Sequence, residues 1–473
     1  MILSSVISKL PKYGTIFAMA IQKKLEIPVH DFFGMKKEYL LLIAVLCFAF
    51  LIRVYSLGSF PQVVNGDETI SILHPFQMMK HTVSIFDRSS DGHGLIIIYA
   101  PKLLMLLLFG FEHSLLAVRL VTVLFSVGVL VIFYIQVRRY FTSSVSLLAT
   151  FLFATSYWFL NFSRISWINV DGLFFGLFFY FSLEKAVKTQ KIIWAVVAGI
   201  MAGIVLMHYM GIRIYLLTAG VVFLPQLRWS RQTVCLVLAG FISTLIVSLP
   251  VINQMLNEGD AYTSRARVVS IFHQKENYYD YAPNDFRGIL MHQVEYVSRG
   301  FLLFDGKVSS EGAVENKRYM PFETPAVNRV VHLLFSIGFM AGLVKWKHPF
   351  FLLTYLLSIV LLQIPTVYVP NWSRAIGILP AIYFFTAYGI DLLLKLQKRY
   401  GKAVIVTIST VIIIAGINDI KIYWKFITSS SFLEAQGPAL SIAELPAWQK
   451  AEFKWIENKH GPFSIYDWEN QNR

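Results

Sequence analysis

GLIIIYAPKLLMLLLFGF, residues 94–111, is the stretch on which the topology turns. It is long and apolar enough for a membrane span, since about 20 apolar residues cross ~30 Å of hydrocarbon. Two residues near its middle argue otherwise. Pro101 cannot donate to the hydrogen-bond ladder of a helix interior, and Lys102 puts a charge where burial is costly. The segment is therefore read as a helix at one membrane face, interfacial or re-entrant. Counting it as a crossing would invert everything that follows.

The rest of the chain shows why that matters. Of 473 residues, 56% are hydrophobic and 15% charged, against ~25% charged in soluble domains; mean hydropathy is +0.58. Apolar runs of span length recur at 38–57, 115–137, 143–161, 168–183, 192–207, 213–227, 232–251, 326–344, 348–365, 375–395 and 402–418. These predict an all-α, polytopic transmembrane bundle of about 11 spans. Lys23, Lys24, Lys36 and Lys37 precede the first span. With them inside, Arg138 and Arg139, then Lys185, Lys188 and Lys191, then Arg228 and Arg231, then Lys345 and Lys347, and finally LKLQKRYGK (394–402) also fall inside. That is the positive-inside pattern.

The expected organisation follows. Residues 1–37 form a cytoplasmic tail without a small-residue cleavage site. Residues 38–418 form the transmembrane domain, with outer loops 58–114 and 252–325, and residues 419–473 an outer-face C-terminal segment. A prokaryotic plasma (inner) membrane is the default location. The net charge of +14 is accounted for by topology, so nucleic acid is not expected as a partner. Cys47 and Cys235 lie inside apolar runs and offer neither a disulfide framework nor zinc-ligand spacing.

Polar residues at the outer ends of the spans carry the functional signal. VVNGDETISILHPF (63–76) holds Asp67 and Glu68, and FDRSSDGHG (86–94) holds Asp91 and His93. NFSRISWINVDG (161–172) holds Arg164, Asn169 and Asp171; MHYMGIR (207–213) holds His208, Tyr209 and Arg213. VYVPNWSRAIGILP (367–380) holds Tyr368, Asn371 and Arg374. Ionisable groups gathered at one membrane level are expensive unless paired or lining a cavity. Arginine grips phosphate bidentately, and a carboxylate among cations stays ionised and accepts a hydroxyl proton. The set suits group transfer from a lipid phosphate to an acceptor hydroxyl or amine. The plain alternatives are a helix-capping role for Asp67, interfacial anchoring for Arg164 and Arg374, and packing for His74. Glu68 either orients Arg164 or is solvated.

These motifs resemble, in order and spacing, the protein O-mannosyltransferase and lipid A aminoarabinose transferase group of polytopic C-type glycosyltransferases. The matching features are GDE at 66–68, DGHGLIIIYAPKLL, LLAVRLVTVLFSVGVLVIFYIQVRRYF, LLATFLFATSYWFLNFSRIS and, later, SRAIGILPAIYFFTAYGI. The resemblance implies a polyprenyl-phosphate-linked sugar donor, inversion at the anomeric carbon and Asp67 as general base beside Glu68. The donor phosphate falls to Arg164, Arg374, His93 and Arg213, supported by Asp91, Asn169, Asp171, His208, Tyr209 and Tyr368. His93-Gly94-Leu95 stands where the family often has His-Pro-Pro or Lys-Pro-Pro. Asn169 stands where some relatives carry an acid, with Asp171 about 200° further round a helix. No cofactor is expected, and no residue pattern supports a divalent metal. The remaining partners are membrane lipids and an acceptor that is lipid, glycan or protein.

Two other readings remain open. A polysaccharide polymerase or ligase using lipid-pyrophosphate donors would rest on Arg265, Arg267 and His273 of the long loop. A transporter or flippase would place ionisable groups at the midplane.

Overall fold

A computed structural model describes residues 37–61, 68, 71–72, 74–75, 78, 95–110, 113–227, 230–258, 267, 269–272, 286–311, 318–321, 323–345, 349–430 and 432. The chain divides into two compact units, Met1–Ala44 and Val45–Arg473. The first helix, α1 (Lys37–Val54), begins in the former and ends in the latter.

In the second unit most described residues of the apolar runs are helical. The order is α2 (Leu95–Phe109), α3 (Ser114–Val137), α4 (Ser143–Thr155), α5 (Tyr157–Ser163), α6 (Ile168–Thr189), α7 (Ile192–Leu206) and α8 (Ile214–Phe223). It continues with α9 (Arg231–Glu258), α10 (Phe286–Phe301), α11 (Gly306–Glu311), α12 (Arg329–Lys345), α13 (Pro349–Leu357), α14 (Leu379–Leu394), α15 (Gln397–Tyr400) and α16 (Ala403–Ile427). There is no strand among the described residues, only an isolated bridge between Ser270 and Thr366.

Among the described residues four helices are long and apolar enough to cross a membrane: α3, α9, Ile376–Leu394 and α16. Two bent pairs, α4 with α5 and α12 with α13, raise the number to six. The other predicted spans fall on shorter or more charged helices. The chain is thus a multi-pass, all-helical membrane protein. The described part of residues 94–111 forms α2, a helix of 15 residues with Pro101 inside it, about 22 Å at 1.5 Å per residue. The N-terminal tail (1–36) and residues 433–473 lie outside the described residues. α16 continues past residue 418 to Ile427, and the loop 252–325 contains α10 and α11.

The breaks have local causes. α4 and α5 meet at a 60° bend. Ser156 caps α5 by accepting from the Phe159 N–H at 3.4 Å, and the carbonyl of Ala154 accepts from buried Arg53 Nη2 at 2.9 Å. A kink that frees backbone groups inside an apolar bundle needs such donors nearby. α12 and α14 approach closely because Gly338 and Gly389 face each other's backbones. A Cβ on Gly338 would collide with the Phe385 carbonyl, and one on Gly389 with that of Leu334. Small residues at the crossing are how membrane helices gain contact without a hydrophobic drive between them.

Candidate active site

Glu68 is anchored by three hydrogen bonds. It is fully buried and helical; the described residues Ser71, Ile72, His74, Pro75 and Met78 after it are also helical, with Ser71, Ile72 and Pro75 buried and His74 and Met78 half-buried. Arg119, in the second turn of α3, donates Nε to Oε1 and Nη2 to Oε2, both at 2.9 Å. Its Nη1 reaches the Leu57 carbonyl at 3.0 Å, and the Ser166 N–H donates to Glu68 Oε1 at 2.7 Å. Both members of the pair are 0% exposed. A buried pair is tolerable only when geometry is good and the remaining donors are satisfied, and here they are.

The hinge between α5 and α6, residues 164–167, is non-helical. Backbone of that kind at membrane depth must find partners inside the protein. Ser166 finds them at both ends: its N–H in Glu68, and its carbonyl in Ser71 Oγ at 2.6 Å. Lys102 Nζ donates to the same Ser71 Oγ at 3.0 Å and lies 5.3 Å from the centre of the Tyr99 ring. Lys102 is fully buried, with the carboxylates of Asp171 and Glu68 as its facing charges.

Two more breaks converge on the same end of the bundle. The turn between α7 and α8 places Tyr209, whose hydroxyl is 3.0 Å from Ser373 Oγ. The irregular run before α14 is held by side chains acting as backbone. Gln363 Oε1 accepts from the Asn371 N–H at 2.9 Å, and Asn371 Oδ1 accepts from the Arg374 N–H at 2.9 Å. Asn169, in the first turn of α6, donates Nδ2 to the Ser373 carbonyl at 3.1 Å. Tyr368 adopts a left-handed conformation in this run, with φ 59°.

The expected residues can now be placed. Asp67, Asp91 and His93 lie outside the described residues. Glu68, Asn169, Asp171, His208, Tyr209, Tyr368, Arg213 and Arg374 belong to the segments that meet here. Arg213 Nη2 reaches the His208 carbonyl at 3.5 Å, and Arg374 Nη1 donates to the Val367 carbonyl at 2.6 Å. His74 packs on Tyr99 at 4.7 Å between ring centres. Arg164 differs from expectation in its surroundings. It is buried, its Nη1 donates to the carbonyls of Ile52 and Arg53, and its Nη2 to those of Tyr55 and Phe60, at 2.7–3.1 Å. The end of α1 has free carbonyls, and Arg164 satisfies them. Glu68 is accordingly neither solvated nor paired with Arg164; its partner is Arg119.

Arg119 and Lys102 were the residues missed. The signal was present in both cases: a lone cation inside an apolar helical run is a candidate for function or pairing by default. Among the described residues no group of three or more His, Cys, Asp or Glu side chains stands together as a metal site.

The fold and this assembly of buried charges define a polytopic, all-helical membrane protein whose fold is shared with solved membrane proteins. The archaeal oligosaccharyltransferase AglB from Archaeoglobus fulgidus, solved with an inhibitory peptide and a dolichol-phosphate, is similar over 91% of this chain and 61% of its own. The match has a TM-score of 0.51 and 14% identity. This chain thus spans about three fifths of that relative's length. ArnT from Cupriavidus metallidurans in the apo state is similar over 84% of this chain and 76% of its own, with a TM-score of 0.50 and 11% identity. Residues 93–253 match the family model of dolichyl-phosphate-mannose-protein mannosyltransferases. No curated protein matches the chain significantly.

Proposed function

We propose that this protein is an integral membrane glycosyltransferase. It moves a sugar from a polyprenyl-phosphate donor to an acceptor hydroxyl or amine at the outer membrane face, with Asp67 as general base and inversion at the anomeric carbon. The observation that carries the reading is the anchoring of Glu68. The residue next to the proposed base is held by three hydrogen bonds inside a buried ionic cluster, where several helix breaks meet. A carboxylate that must accept a proton in a fixed geometry needs such support, because small misplacements lower the rate steeply. The likeness to AglB, whose structure holds a dolichol-phosphate, and the match at residues 93–253 support a lipid-phosphate donor.

In the proposed reaction the acceptor oxygen or nitrogen attacks the anomeric carbon while Asp67 takes its proton. The bond from that carbon to the phosphate oxygen breaks, and its electron pair leaves with the polyprenyl phosphate. Cations stabilise the departing charge, so the leaving group needs no proton. Arg374, Arg213 and His93 are the proposed phosphate contacts. Arg164 supports them from behind by fixing the end of α1 against the hinge. In this reading the N-terminus is cytoplasmic and the C-terminus outside, in a plasma membrane, with about 11 crossings.

The test is Asp67→Asn in the purified full chain, supplied with a panel of prenyl-phosphate sugars and assayed by mass spectrometry of the products. Turnover is expected to fall by at least ~10²-fold, the usual contribution of a positioned base, with donor binding retained. Transfer at the parent rate would remove Asp67 from the mechanism.

A further inference from the structure

At the end of the bundle away from the candidate site, α6, α7, α8 and α9 line an apolar groove of about 280 Å³. Its walls include Ala198, Ala202, Ala219, Gly220, Leu236 and Gly240, small or aliphatic groups that leave the space unfilled. Along α9 the lining runs from Thr233 to Thr244. At 1.5 Å per residue that is ~16 Å, about half of a ~30 Å hydrocarbon core. The groove is therefore one leaflet deep.

Its mouth is polar and basic. Gln190 ends α6 in a left-handed conformation, and its carbonyl accepts from Gln232 Nε2 at 3.1 Å. The mouth thus lies where the α6–α7 connector meets the start of α9. Lys191 and Arg231, next in sequence to Gln190 and Gln232, are exposed. Against them stands Glu184, already paired with Arg139 and Lys188. The rim is left with surplus positive charge above an apolar slot.

We propose that this groove is a binding site for an anionic membrane phospholipid, one acyl chain lying between α7, α8 and α9 and the head group against Lys191 and Arg231. A zwitterionic lipid would fill the slot without using the rim, whereas an anionic head near basic side chains is attracted by each of them. A polyprenyl tail entering from the candidate site would carry its phosphate at the far end and leave the same cations unmatched. The proposal does not depend on the reaction assigned to the opposite end.

The full chain, purified and exchanged into equal dioleoylphosphatidylglycerol and dioleoylphosphatidylcholine, is examined by native mass spectrometry and by melting temperature. The phosphatidylglycerol is expected to be retained in preference and to raise the melting temperature more than the phosphatidylcholine. The double variant Lys191→Gln/Arg231→Gln, at exposed positions, should abolish that preference. Gly220→Phe should exclude both lipids by filling the groove, since the nearest atom to a Cβ there is Leu224 Cδ1 at 3.9 Å. If Gly220→Phe does not fold, the rim variant decides alone. Equal retention of the two lipids by the parent chain, or an unchanged preference in the rim variant, would overturn the proposal. So would stoichiometric displacement of phosphatidylglycerol by a polyprenyl phosphate, which would assign the groove to a donor tail.

Discussion

Replacing Arg119 by methionine is the sharpest perturbation of this architecture. The substitution keeps most of the side-chain volume but removes both bonds to Glu68 and the bond to the Leu57 carbonyl. Glu68 would then be a fully buried carboxylate with the Ser166 N–H as its remaining donor from the set described above. Breaking a buried pair from one side typically costs about 3–5 kcal/mol. The carbonyl of Leu57, left without its donor, adds roughly 1 kcal/mol or more. Against a total stability of about 5–15 kcal/mol, Arg119→Met should remove a large share. The double variant Glu68→Gln/Arg119→Met leaves no buried charge in the pair and should recover much of the loss. The assay is reversible unfolding of the detergent-solubilised chain for the parent, both single variants and the double variant. A coupling energy of at least ~2 kcal/mol is expected for neighbours in one network. A cost below about 1 kcal/mol for Arg119→Met, or strict additivity, would refute the claim that this pair holds the hinge.

Three further outcomes follow from the same geometry. Arg164→Lys keeps the charge but cannot span four carbonyls with a planar fork; it should lower stability by about 2 kcal/mol, measurable in the same unfolding assay. Gly338→Ala should destabilise despite better helix propensity, because overpacking costs about 1–3 kcal/mol and the obstacle is the Phe385 backbone; a raised melting temperature would contradict the close α12–α14 crossing. Asp305 accepts from Arg299 Nε and Nη2 at 3.0 and 2.8 Å, and that bond holds its carboxyl below the ordinary value. A depressed native pKa contributes stability above the ordinary carboxylate range that is lost as pH falls through the native value. Asp305→Asn should therefore flatten a small acid-side loss of stability, small because the pair is partly solvated.

The sequence alone located the helices because hydropathy and basic connectors are one-dimensional signals. A run of about 20 apolar residues must satisfy its own backbone, whatever lies beside it. The predicted span 115–137 falls on Ser114–Val137, and 192–207 on Ile192–Leu206. That the polar groups of α6, the α7–α8 turn and the run before α14 come together also followed from alternation of direction. Partner choice did not. Glu68 and Arg119 stand 51 positions apart, and Arg164 donates to a carbonyl 109 positions away. Only helix packing decides which charge meets which carboxylate, and which meets only the open carbonyls of a helix end. Local composition fixes where a charge lies along its own helix; its neighbours across the bundle depend on helix rotation and crossing, which no single segment encodes.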